Sequence, residues 1–174
     1  MMKNRKTTKK EYISNFEKDK KGMYRYTGKM YAAPENWQKK KIQLMGLLGI
    51  GLILQIIAGC SRSGAMKNTF YVILPYGGCI GMSLYCLYHL YELYAEGDAF
   101  KDYIYERHAL VMGRDLMILY IFCMVTAVGA MLYGIRQAEN ILPEIPLMLT
   151  EIAAAFCTAF AIRTVKTFQW FQKS

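Results

Sequence analysis

The sequence predicts an all-α integral membrane protein, a four-helix bundle, and its composition and the distribution of its charges support that prediction. Of the 174 residues, 54% are apolar or aromatic and only 20% are charged. The apolar residues are concentrated in four long blocks, and the charges lie almost entirely between them. A soluble helix would instead carry a polar face, because one side of it meets water. The pattern excludes a soluble globular domain, a disordered polyelectrolyte and a disulfide-stapled secreted module.

Each apolar block is long enough to cross a bilayer. The predicted spans cover residues 42–60, 69–91, 116–135 and 145–162, and the last helix is predicted to continue to about 171. At a rise of 1.5 Å per residue, the uncharged part of each block extends roughly 27–30 Å, which matches a hydrocarbon core. Lipid cannot hydrogen-bond exposed backbone amides, so each block is predicted to be a helix. Residues 42–171 therefore form the predicted bundle.

The distribution of Lys and Arg predicts the orientation. Residues 1–41 contain thirteen basic residues, and with the 92–115 connection and the C-terminal tail the total is 19 of 22. The positive-inside rule then places both termini in the cytoplasm and the protein in the cell membrane. Trp37 and Trp170 are expected in the aromatic belt at the cytoplasmic interface.

The two large predicted cytoplasmic segments have opposite charge. Residues 1–41 form a basic segment, predicted to be partly disordered, with a possible hairpin over 23–31 that turns at Thr27-Gly28. The 92–115 connection has six acids against three bases and is predicted to be helical again from Ala99. The basic segment could bind this acidic connection or anionic lipid, and lipid is expected to dominate. The predicted lipid-contacting residues are Lys39, Lys40, Lys41, Arg163 and Lys166. No nucleic-acid-binding module is recognisable, so a nucleic-acid partner is not expected.

Glu151 is the one acid inside a predicted span. An ionisable residue within a membrane is costly unless it is paired, neutralised or hydrated, so it is treated as a functional candidate. One hypothesis is a proton or cation site between helices. The other is a structural carboxyl group that hydrogen-bonds Thr126, Gln55 or Arg136. The sequence leaves both open.

A second set of polar residues lies at the predicted inner surface. His89, Glu92 and Glu96 are spaced i, i+3 and i+7, so they share one helix face. This spacing favours an ion-pair network over a metal site, because a single His-x-x-Glu is a weak pattern without a Cys/His cluster. No metal and no cofactor are therefore predicted. The full inner polar cluster comprises His89, Glu92, Glu96, Glu106, His108, Arg114 and Asp115.

Small residues within the spans predict close helix packing. Gly77 and Gly81 form a G-x-x-x-G pair in the second span, and Ala130 with Gly134 has the same spacing in the third. The partner helix could belong to the same chain or to another copy. The five cysteines include no C-x-x-C pair and are interpreted as small buried hydrophobic residues.

These features support three functional hypotheses. The leading one is a non-enzymatic accessory or scaffold subunit that packs with itself, as a homo-oligomer, or with a larger membrane complex. The alternative is a small transporter or channel-forming oligomer that uses Glu151. The third is a membrane-surface enzyme that uses the inner polar cluster, although the sequence contains no phosphate loop, G-x-S-x-G or H-E-x-x-H motif.

Overall fold

Four long apolar helices, each of membrane-spanning length, dominate the computed structural model. The structure describes residues 16–18, 23–97, 99–137, 141–168 and 170–173. The helices are α1 (Trp37–Gly59), α2 (Gly64–Asn68), α3 (Phe70–Ala95), α4 (Asp102–Arg136) and α5 (Leu142–Lys166). The short helix α2 joins the first two spans. The predicted all-α four-helix bundle is confirmed, and the chain is a small multi-pass membrane protein.

The four long helices form a closed ring in the order α1, α3, α4, α5, in which each packs against two neighbours. Leucine side chains such as Leu44, Leu90 and Leu116 fill the interior. Large apolar side chains also cover the outside, among them Leu149 and Phe156. An apolar exterior of this kind is what lipid contact requires, since hydrocarbon offers no partner for polar groups.

A three-stranded antiparallel sheet closes one end of the bundle. Its central strand is β3 (Met30–Ala32), which pairs with β4 (Ala99–Lys101) and β5 (Phe171–Lys173). These strands come from the segment before α1, the α3–α4 connection and the segment after α5. The sheet therefore ties three distant parts of the chain together at what we call the sheet end. The opposite end, with the α1–α3 and α4–α5 connections, is the short-loop end.

An aromatic cluster lies between the sheet and the helices. Trp37 is 3% exposed, and its ring centroid lies 5.5 Å from that of Phe100, 5.6 Å from that of Phe168 and 5.8 Å from that of Trp170. Trp37 is thus buried rather than exposed to lipid headgroups as expected, whereas Trp170 is only partly buried. Because the sheet is small, the burial of these large rings is its main apolar contribution to the stability of the fold.

The sheet also shifts two predicted helix boundaries. Helix α4 begins at Asp102 rather than at Ala99, and α5 ends at Lys166 rather than at about 171. Residues 99–101 pair with β3 instead, and after α5 the chain turns at Thr167 before residues 171–173 pair with the same strand. The strand ladder satisfies their backbone N–H and C=O groups, which a helix turn would otherwise have to do.

The predicted hairpin over 23–31 is also wrong. Its first half, β2 (Tyr24–Tyr26), pairs with β1 (Phe16–Lys18), while Met30–Ala32 becomes the centre of the other sheet. Thr27 and Gly28 therefore connect two separate sheets. The partial disorder predicted for residues 1–41 is expected mainly in the first ten, and residues 1–15 and 19–22 lie outside the described residues.

Candidate functional site

A layer of buried polar side chains crosses the bundle partway along its length. Each spanning helix contributes to it, and every member is almost completely shielded from solvent. In order along the chain, the members are Gln55, Cys79, Ser83, Cys123, Thr126 and Glu151. Because lipid surrounds the bundle, polar groups in the spans turn inward and contact each other.

Hydrogen bonds connect this layer in two groups. In the first, Ser83 Oγ donates to Gln55 Oε1 at 2.8 Å, and Gln55 Nε2 donates to Cys123 Sγ at 3.5 Å. In the second, Cys79 Sγ lies 3.8 Å from Thr126 Oγ1 and 3.7 Å from Glu151 Oε2. The two thiols and the carboxyl group come together, with one ligand-type atom of each within 4.8 Å of the others. We call Cys79, Cys123 and Glu151 the thiol–carboxyl cluster.

Glu151 is 0% exposed, and its Oε1 atom has no hydrogen-bond partner among the described residues. The partners expected for it are placed differently. Gln55 and Thr126 lie in the same layer but bond to the cysteines, and Arg136 is exposed. A buried carboxyl group without a cation must bind a proton or a cation to avoid the cost of an isolated charge. Glu151 is therefore a buried acid whose negative charge no cation among the described residues neutralises.

The inner polar cluster is only partly assembled. His89 Nδ1 lies 2.7 Å from His108 Nδ1, so one ring donates and the other accepts. His89 Nε2 lies 3.6 Å from Asp115 Oδ2, and Arg114 Nη2 lies 3.0 Å from Asp115 Oδ1. We call these four residues the histidine cluster. His108 reaches it from a π-helical turn over Tyr105–Ala109 at the start of α4, an irregularity often found at functional positions.

The other three predicted members have different surroundings. Glu96 forms an ion pair with Lys101 at 3.5 Å, Glu106 is exposed, and Glu92 is half-buried and interacts electrostatically with His108. Helix periodicity placed the acids on one face, but the strand at 99–101 takes Glu96 into a separate pair. The three residues buried in the histidine cluster, His89, His108 and Asp115, are closed off from solvent.

The basic residues expected to contact lipid also separate into two kinds. Lys39, Arg163 and Lys166 are exposed, and Lys40 Nζ donates to Thr167 O at 3.3 Å. Lys41, in contrast, is 3% exposed, with Nζ 3.8 Å from the centroid of the Tyr94 ring. Its expected surface position is wrong, because a cation–π contact holds the ammonium group within the protein.

The two small-residue pairs also differ. Ala130 is buried beside Ala58 and Leu147, and Gly134 is buried near Glu144. Gly77 and Gly81 are exposed, and a Cβ added at either would meet no described atom within 4 Å beyond its chain neighbours and the nearby backbone of its own helix. One pair therefore serves packing within the bundle, and the other faces outward.

Sequence reasoning missed two features. Glu144 is a buried acid at the short-loop end, where it accepts hydrogen bonds from Ser63 Oγ at 2.5 Å and from the Gly64 amide at 2.8 Å, and so caps α2. The second feature is the cluster of Cys79 and Cys123 with Glu151, because the sequence favours small buried hydrophobic residues at both cysteines. The structure places Cys79 and Glu151 at a similar depth, nine positions after Phe70 and Leu142, whereas the predicted span starts at 69 and 145 put them ten and six positions in.

The chain matches no known family, no curated protein and no solved structure in the comparisons made with each. The features of the chain that bear on its function are the two buried clusters and the outward-facing glycines of the second span.

Proposed function

We propose that this chain is a non-enzymatic accessory or scaffold subunit that packs against a further membrane helix, from a second copy or from a larger complex. The exterior position of Gly77 and Gly81 supports this most directly. Small residues let helix backbones approach closely where lipid supplies no hydrophobic driving force between helices. Nothing within the described bundle uses this pair.

Substitution of the outward glycines tests this proposal. Gly77→Ile and Gly81→Ile should abolish or sharply reduce the higher-mass species in native mass spectrometry of nanodiscs made directly from membranes. Gly46→Ile is the matched control, since Gly46 is also exposed on a spanning helix with open space around it. Detection of only the monomer for the wild type, with no co-isolated membrane protein, would contradict the proposal.

Both termini are proposed to face the cytoplasm of a cell membrane, with the sheet end on that side. Support comes from the 19 of 22 basic residues that this orientation keeps inside. An N-terminal reporter protein active only in the cytoplasm should be active when fused to this chain, whereas an insertion in the α1–α3 connection should carry the same reporter outside. The reverse pattern would overturn the orientation.

Anionic lipid is the proposed partner at the sheet end. A groove between α1 and α5 is lined by Lys40, Arg163 and Phe160, so cations and an apolar surface adjoin each other. Each basic residue near an anionic surface contributes about 1 kcal/mol. Arg163→Gln should therefore reduce phosphatidylglycerol adducts in native mass spectra several-fold. Lys67→Gln, at the short-loop end, should leave these adducts unchanged.

A second candidate, a small transporter or channel-forming oligomer, is favoured by the uncompensated carboxyl group of Glu151 alone. A group that must bind a proton or a cation inside a span is suited to carry one across. Glu151→Gln should then abolish ion or proton flux in proteoliposomes, while Glu144→Gln should keep it. Equal flux in wild type and Glu151→Gln would remove this candidate.

A further inference from the structure

We propose that Cys79, Cys123 and Glu151 form a binding site for one thiophilic d¹⁰ metal ion, Zn²⁺ or Cu⁺, inside the helix bundle. This departs from the sequence prediction of no metal and from the interpretation of the cysteines as filler. It is also independent of the proposed packing role, since the outward glycines take no part in it.

The donor atoms are spaced for a metal ion. Cys79 Sγ and Glu151 Oε2 are 3.7 Å apart, and the three donors all lie within 4.8 Å of one another. With Zn–S bonds of about 2.3 Å and Zn–O bonds of about 2.0–2.2 Å, two donors on a tetrahedral ion are about 3.5–3.8 Å apart. An ion between the three side chains therefore needs only a small contraction of the cluster.

The donor set selects the kind of ion. Thiolates are soft ligands that favour Zn²⁺ and Cu⁺ over Mg²⁺ or Ca²⁺, which prefer oxygen donors. Both cysteines are free thiols and fully buried. The donors come from α3, α4 and α5, so an ion would join three of the four spanning helices.

Charge compensation is the second argument. Glu151 is fully buried with Oε1 unpartnered among the described residues, so its carboxylate lacks a counter-ion. When Zn²⁺ binds two thiolates and the carboxylate, the two thiol protons and the proton that neutralises Glu151 in the metal-free protein leave, and the site keeps one negative charge. The Gln55 Nε2 donor to Cys123 Sγ would stabilise that charge. Thr126 Oγ1 donates to Phe122 O at 2.9 Å, which leaves its lone pairs available as a fourth donor near Cys79.

The test uses the full chain in nanodiscs, purified under reducing conditions. Elemental analysis of the protein as isolated should find about one equivalent of zinc or copper. Titration of the stripped protein with Co²⁺ should produce a thiolate-to-metal charge-transfer band that saturates at one equivalent, and Zn²⁺ should displace it. A parallel titration with Cu⁺, delivered with a competing chelator, gives the affinity for Cu⁺. Comparison with the affinity for Zn²⁺ shows which of the two ions the site prefers. Because all three donors are shielded, removal by a chelator should be slow.

Variants locate the site. Cys79→Ser and Cys123→Ser should each abolish the band or weaken binding at least tenfold, and Glu151→Gln should weaken it while the band remains. Cys86→Ser is the matched control, since Cys86 is an equally buried free thiol on the same helix as Cys79. Circular dichroism and size-exclusion profiles check that each variant folds.

Three results would overturn the proposal. The first is a reduced wild type that takes up no stoichiometric metal and shows no band. The second is an equal loss of binding in Cys86→Ser and Cys79→Ser. The third is a native disulfide between Cys79 and Cys123, detected by peptide mapping of protein alkylated in the membrane. The first and third need no variant, so a variant that does not fold leaves the proposal testable.

Discussion

The histidine cluster and the thiol–carboxyl cluster both contain a buried acid, yet they are compensated in different ways. Asp115 is 2% exposed and has Arg114 Nη2 at 3.0 Å, on an arginine side chain that is itself 69% exposed. Glu151 is 0% exposed, and its neighbours in the cluster are the neutral thiols of Cys79, with Sγ 3.7 Å from Oε2, and Cys123. An acid at the edge of an apolar block, as Asp115 is just before Leu116, can pair with a long basic side chain that reaches water, as snorkelling side chains do. An acid in mid-span has no such neighbour, so it needs a proton or a bound ion.

The aromatic cluster around Trp37 at the sheet end should show the largest effect. Trp37→Ala removes a buried ring that contacts Phe100, Phe168 and Trp170, and should lower the free energy of unfolding by about 3–5 kcal/mol. Thermal unfolding in detergent, followed by circular dichroism, measures this loss. Phe70→Ala, at an exposed ring near the short-loop end, is the control and should change stability by less than about 0.5 kcal/mol. Equal losses would mean that the sheet end is not a stabilising centre.

Loss of the compensated acid should have the next largest effect. Asp115→Asn removes the charge-assisted contacts with Arg114 and should cost about 1–2 kcal/mol, a modest value because the arginine remains solvated. The same unfolding measurement tests it. Arg114→Gln should cost a similar or smaller amount, since Asp115 is the buried partner. A stabilising effect of Asp115→Asn would contradict the assigned pairing.

Loss of the uncompensated acid should have little effect in the metal-free protein. Glu151→Gln keeps the shape of the side chain and removes an acid with no cation, so stability should stay within about 0.5 kcal/mol or rise. Chemical or thermal unfolding of the stripped protein, beside Asp115→Asn, compares the two clusters directly. A loss as large as that of Asp115→Asn would show that Glu151 is already paired with a cation.

The smallest expected effect is a pH dependence at the sheet. Burial of Tyr31 and the nearby charge of Asp102 raise the pKa of the Tyr31 phenol above its usual range. The phenol therefore ionises more readily in the unfolded chain, so its contribution to stability is complete below about pH 10 and is lost as the pH rises through the folded value. The unfolding temperature of wild type should fall more steeply above about pH 10 than that of Tyr31→Phe. Parallel curves for the two proteins would contradict this assignment.

Much of the bundle could be predicted, because membrane-length apolar blocks leave the backbone one way to satisfy its hydrogen bonds. The importance of Glu151 followed from its position alone, since charge inside a span is costly anywhere. The sheet could not be predicted in the same way. Its strands are three residues long and come from three distant segments, so no local periodicity marks them. Lys41 and Trp37 were misplaced for the same reason, because the groups that cover them are far away in the chain.

The sequence by itself determined that four helices lie in lipid, since that result depends only on how many apolar residues follow one another and on the bilayer thickness. The tertiary structure alone decided which polar side chains contact each other. It brings Cys79 and Cys123 to Glu151, His89 to His108, and the Lys41 ammonium group to the face of the Tyr94 ring. The physical reason is that insertion of a helix into lipid depends on the apolar length of one segment. The assembly of a site depends instead on the relative rotation and depth of several helices. Those quantities are set by the packing of side chains across the whole bundle.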